Sequence, residues 1–94
     1  MILNDVYQLL RHVNAVNSES EFSKEWLGRS DCYLRTCRFK KVQPSIGAVA
    51  ICASKLQYHG HRMLGDGGNK ALAEQFFNLS DACHEQINQV GAAD

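Results

Sequence analysis

Ninety-four residues with 45% apolar content make one domain with one modest core, which excludes a two-domain enzyme. Ten basic and ten acidic residues give a formal net charge of zero, which excludes a uniformly polybasic nucleic-acid binder. The balance is uneven along the chain. Arg29, Arg35, Arg38, Lys40, Lys41, Lys55 and Arg62 face only Asp31 in residues 29–62, whereas the flanking segments are acidic, a pattern that points to an anionic partner for the middle of the chain. The opening Met1 to Asp5 has no basic stretch followed by an apolar run, and the longest apolar run, Ile46 to Ala53, is too short to cross a bilayer. A cytoplasmic protein with no membrane contact is therefore expected. Cys32, Cys37, Cys52 and Cys83 lack paired C-x-x-C spacing and read as reduced thiols, mainly filling the core.

The first helix is predicted to start at Asn4 or Asp5, whose side chain can accept from free backbone N–H groups, and to end around Asn14 to Asn17. Val6, Leu9, Leu10 and Val13 form its apolar face. Ser18-Glu19-Ser20-Glu21 fits a capping box and opens a short second helix with Phe22, Trp26 and Leu27 as apolar members. Gly28, able to take positive φ, stops it. Ser30 is the expected N-cap of a third helix, with Asp31 placed to suit the helix dipole. Tyr33, Leu34 and Cys37 fall on one side of that helix, while Asp31, Cys32, Arg35 and Thr36 fall on the other and Arg38 lies at the border. After the basic stretch Phe39 to Gln43, Pro44-Ser45 supplies a stop and a cap for a fourth helix with Ile46, Val49, Ala50, Ala53 and Leu56 as its buried stripe. Gly60, Gly65, Gly67 and Gly68 make residues 58–68 a turned connection. From Asn69 to Val90 a long helix is predicted, because Leu72, Phe76, Leu79, Cys83, Ile87 and Val90 recur in steps of four and three.

The expectation is an all-α domain: a helix-turn-helix core of four short helices over residues 1–57, the connection 58–68 and a C-terminal helix over 69–94. Two short helices joined by a tight turn, the second with an arginine-bearing polar face followed by a basic loop, suit insertion into the DNA major groove. The polar face offers Asp31, Cys32, Arg35 and Thr36 to bases, and the cluster from Arg29 to Lys41 offers charge to phosphates. The stripe from Leu72 to Val90 either folds back on its own helices or pairs with a second chain; a homodimer is the favoured reading, with Ile51, outside the stripe of the fourth helix, adding to the contact. His59-Gly60-His61 with Cys83-His84 would need a contrived fold-back to hold zinc, and Gly65 to Lys70 lacks phosphate-loop spacing, so no metal, cofactor or catalysis is expected.

The run Ser30 to Ile46, continued by Val49, Ala50, Ala53 and Leu56, resembles the phage-repressor-like (Cro/repressor, XRE-type) helix-turn-helix family. The resemblance spans residues 4–57. It implies a small bacterial-type transcriptional regulator that binds double-stranded DNA, with Ser30, Asp31, Cys32 and Arg35 over bases and Ser20, Arg38, Lys40 and Lys41 near the backbone. The alternative keeps the fold as a protein-interaction module without DNA binding, a reading favoured by Glu19, Glu21 and Asp31.

Overall fold

A computed structural model describes residues 1–93, with side chains described through Gln89. Five helices follow in chain order: α1 (Ile2–His12), α2 (Glu19–Glu25), α3 (Tyr33–Lys40), α4 (Ile46–Gly65) and α5 (Lys70–Ala93). No strand occurs among the described residues.

α1 begins earlier than its capping residues suggest. Leu3, Val6 and Leu10 are buried along one stripe, and winding the chain from Ile2 brings Leu3 into it. Met1 occupies the N-cap without a side-chain bond, Asn4 is absorbed into the helix, and Asp5 remains in the first turn, where its charge suits the dipole. The helix ends at His12, because Asn14 turns left-handed (φ 63°) and the Ala15 amide bonds back to the Leu10 carbonyl at 2.8 Å.

α2 starts where its capping box puts it. Ser18 Oγ accepts from the Glu21 amide (3.1 Å), and the Glu21 carboxylate accepts in return from the Asn17 amide (2.6 Å), one residue outside the usual box. Phe22, Trp26 and Leu27 are buried, each contributing about 1.5–3 kcal/mol of hydrophobic stabilisation. Gly28 takes φ +63°, and Ile51 of α4 packs over it: a Cβ at Gly28 would lie 3.2 Å from Ile51 Cδ1.

α3 starts two residues later than Ser30 and Asp31 predict. Its N-cap is Cys32, with no side-chain cap, and Ser30 Oγ lies instead 3.7 Å from Cys32 Sγ. The missing cap is supplied from the preceding helix: buried Ser23 Oγ accepts from the Leu34 amide at 3.2 Å, while the Ser23 carbonyl accepts from the Arg29 amide at 3.0 Å. One serine of α2 thereby holds both the turn and the first turn of α3. At the other end Lys41 adopts φ 55°, and the Val42 amide closes on the Cys37 carbonyl at 3.1 Å.

α4 starts at the Ser45 cap, whose Oγ accepts from the Ala48 amide at 3.2 Å. Its buried line is Ala48, Val49, Cys52, Ala53, Leu56 and Gly60; Ile46, expected in that line, is 47% exposed, and Ala50 is half-buried. The helix does not stop near residue 57. It runs 20 residues to Gly65, so the fourth helix is long and most of the predicted connection is helical. The reason is Gly60, which is buried against the Phe77 ring of α5 and serves close helix packing instead of a turn.

The connection that remains, residues 66–69, ends in Asn69, whose Oδ1 caps α5 by accepting from the Leu72 amide at 3.0 Å. α5 lies along α4 and also touches α1. Buried Ser80 Oγ donates to the Ala53 carbonyl at 3.1 Å, and the buried Cys52 and Cys83 meet across the same seam. The hydrogen bond with Cys83, together with burial, pushes the Cys52 thiol up, so it stays protonated. Phe76 and Cys83 are buried within the chain, and Leu72, Leu79 and Ile87 pack half-buried on the same core. Within one chain this stripe packs on the other helices, Phe76 and Cys83 fully and Leu72, Leu79 and Ile87 by half; the side chain of Val90 lies outside the described residues.

Candidate nucleic-acid interface

α2 and α3 pack together, and the turn between them, with the exposed side of α3, carries the residues singled out as base-reading. Ser30 and Asp31 are exposed but sit in the turn ahead of the helix, and Cys32 is half-buried at its N-cap. Arg35 is exposed in the first turn of α3 and has no hydrogen-bond or ion-pair partner among the described residues. Thr36 is half-buried beside it. The helix presents Arg35 outward because Leu34 and Cys37 take the inward positions of its stripe.

The residues assigned to phosphate separate into two groups. Lys40 and Lys41 are exposed at the C-terminal end of α3, where the left-handed Lys41 directs the chain away from the helix. Arg29 and Arg38 are already engaged. Arg29 Nη2 donates to Ser45 Oγ at 3.1 Å and its guanidinium stands 6.0 Å from the centre of the Tyr33 ring, while the Tyr33 hydroxyl accepts from the Ser45 amide at 2.8 Å. This cluster ties the turn, α3 and the start of α4 together, and Gly47 leaves room for it, since a Cβ there would lie 2.9 Å from Arg29 Nη2. Arg38 forms an ion pair with Glu19 of α2, and Ser20 is half-buried in the first turn of that helix. Of the five cations from Arg29 to Lys41, Arg35, Lys40 and Lys41 therefore remain free for an external anion among the described residues.

One residue of this surface was missed. Phe39, 86% exposed, stands four residues after Arg35 and between Arg38 and Lys40. The signal was present in the spacing: with Leu34 and Cys37 inward, position 39 falls on the opposite side of the helix, and an aromatic side chain there is not core. Val42 and Ile46, at 50% and 47% exposure, follow it in the chain.

Fold and surface together define a five-helix all-α domain whose packed α2–α3 pair displays cations without partners among the described residues and an exposed aromatic ring. Residues 3–94 match the model of a family described as Family of unknown function (DUF6626), and the chain belongs to that family. No curated protein and no solved structure matches it. The match gives kinship without an activity. No helix among the described residues is long and apolar enough to cross a membrane.

Proposed function

We propose that this protein is a small DNA-binding transcriptional regulator that presents α3 and the turn before it to the duplex. The observation that carries the reading is Arg35: a guanidinium displayed on the outer side of a helix fixed to its neighbour by the Ser23–Leu34 bond, without a partner among the described residues, and followed by Lys40 and Lys41. A guanidinium so placed suits the two acceptors of a guanine edge, and the lysines suit phosphates. Charge draws the basic segment to the duplex, α3 enters the major groove, and a homodimer sets the spacing of two half-sites. The second reading, a protein-interaction module that keeps this fold, is favoured by the Arg38–Glu19 pair and by exposed Phe39 and Val42.

The test is a titration of labelled mixed-sequence duplex at about 50 and 200 mM salt, where phosphate-led binding falls steeply. Arg35→Ala is expected to cost roughly 1–3 kcal/mol at a selected site and to relax base preference, whereas Lys41→Ala weakens all sequences alike and flattens the salt slope. Absence of duplex binding at the lower salt refutes the regulator reading and leaves the interaction module.

A further inference from the structure

Phe39 is the side chain that any partner of α3 meets first. Leu34 and Cys37 fix the buried side of the helix, and at 100° per residue position 39 points almost directly away from them, with Arg35 one turn earlier on the same face. The ring is 86% exposed. No aromatic or cation–π partner holds it among the described residues, and α3 carries no acidic side chain of its own.

The charges around the ring select its partner. Arg35, Lys40 and Lys41 have no ion-pair partner among the described residues, and Arg38 is tied to Glu19 of α2. Covering Phe39 with an apolar surface would strip water from those cations without replacing it, which is costly. A polyanion neutralises them while the ring is covered. In the major groove each base edge offers hydrogen-bond donors and acceptors, and the apolar group among them is the C5-methyl of thymine. A ring that enters the groove beside Arg35 has that methyl as its matched contact.

We propose that Phe39 is a specificity-determining residue of α3 that reads the methyl group of a thymine one or two base pairs from the guanine read by Arg35. The inference rests on the duplex-binding reading above and names what that surface selects. Four residues advance about 6 Å along a helix axis, close to two base steps of about 3.4 Å, so the two contacts fall on neighbouring positions of one half-site. The contact also sets the posture of α3. The helix lies along the groove, because with its first turn alone inserted the ring would stay in water.

The experiment starts from a site selected by the parent protein from a random duplex pool, with the guanine located by its dependence on Arg35. Each thymine within two base pairs of that guanine is then replaced singly by deoxyuridine, which removes the methyl and leaves the hydrogen-bonding groups in place. At one such position the parent is expected to bind the uridine duplex about fourfold more weakly, the factor that burying one methyl supplies. Phe39→Ala is expected to bind the thymine and uridine duplexes equally, and Phe39→Leu to keep part of the preference. Both variants should keep the parent's thermal unfolding midpoint, since the ring is exposed. Four results overturn the proposal and leave duplex binding standing: no guanine that depends on Arg35, no thymine within two base pairs of it, no loss on uridine substitution, or an equal loss in the parent and Phe39→Ala. Absence of duplex binding at about 50 mM salt overturns both readings and assigns Phe39 to a protein partner.

Discussion

Replacing Gly60 by alanine tests the closest helix contact in the fold. A Cβ at this position would lie 2.7 Å from Cε1 and 2.9 Å from Cζ of Phe77, well inside contact distance. The Phe77 ring cannot swing away freely, because it is half-buried and the His61 ring stands 4.9 Å from it. Two effects compete. Alanine in a helix interior gains about 0.5–1 kcal/mol over glycine, whereas overpacking a contact of this kind costs typically 1–3 kcal/mol. The cost outweighs the gain, and Gly60→Ala is expected to lose about 0.5–2 kcal/mol, with each 1 kcal/mol lowering Tm by roughly 4–8 °C in a domain of this size. Gly65→Ala is the control: it ends the same helix with nothing within 4 Å of its Cβ position, and it is expected to gain up to about 1 kcal/mol. Urea unfolding followed by circular dichroism measures both. Phe77→Leu completes a double-mutant cycle, since removing the ring edge relieves the clash. Equal stabilisation by both alanines, or no coupling between positions 60 and 77, would refute the reasoning.

Ser23→Ala removes the acceptor of the Leu34 amide from a fully buried position, leaving that N–H unpaired; a loss of about 1–3 kcal/mol in urea unfolding is expected, and a change below about 0.5 kcal/mol would mean that the bond does not hold α2 to α3. His59 makes stability depend on pH. Its folded value lies below 6.5, so as pH falls from that value the unfolded chain takes the proton first, and stability declines until the folded ring also titrates. Desolvation is the main cause, Lys55 and Arg62 deepen this effect, and the neighbouring carboxylates Glu21, Glu25 and Asp66 do not reverse it. Unfolding of the parent and His59→Gln from pH 7.5 downward should therefore give a shallower acid slope for the variant, and parallel slopes would show that the ring is not held neutral.

The local devices of the fold were legible where a single side chain decides the outcome. Ser18 and Ser45 cap the helices they were expected to cap, and Gly28 takes the positive φ its position requires. Misreadings arose where a tertiary partner overrides the local signal. Ser30 has the sequence context of an N-cap, yet the acceptor for α3 arrives from Ser23, eleven residues before Leu34, and no short-range pattern contains that pairing. Gly60 looks like a helix stop beside Gly65, Gly67 and Gly68; only the Phe77 ring across the seam shows that this glycine belongs inside α4. The apolar period of α5 was visible, but a period is the same whether its cover comes from α4 of the same chain or from another copy. The Trp26–His59 contact was invisible for the related reason that only folding brings the two rings together.

Among the described residues the largest exposed apolar side chain is Phe39, a surface open to a protein partner. Phe39 stands on the same outer side of α3 as Arg35, so duplex and protein partner compete for one surface and differ in their response to salt. Contact with phosphate is lost as counterions return to DNA, whereas apolar burial is insensitive to moderate salt. Phe39→Ala should therefore leave the salt slope of duplex binding intact, since it removes no cation, while Lys41→Ala should flatten it. Self-association or partner binding that persists at 200 mM salt and disappears in Phe39→Ala would instead assign the surface to protein recognition, because burying that ring accounts for about 1.5–3 kcal/mol and no charge is involved. The two variants thus separate the readings within one titration series: charge on the lysine governs one, area on the phenylalanine the other.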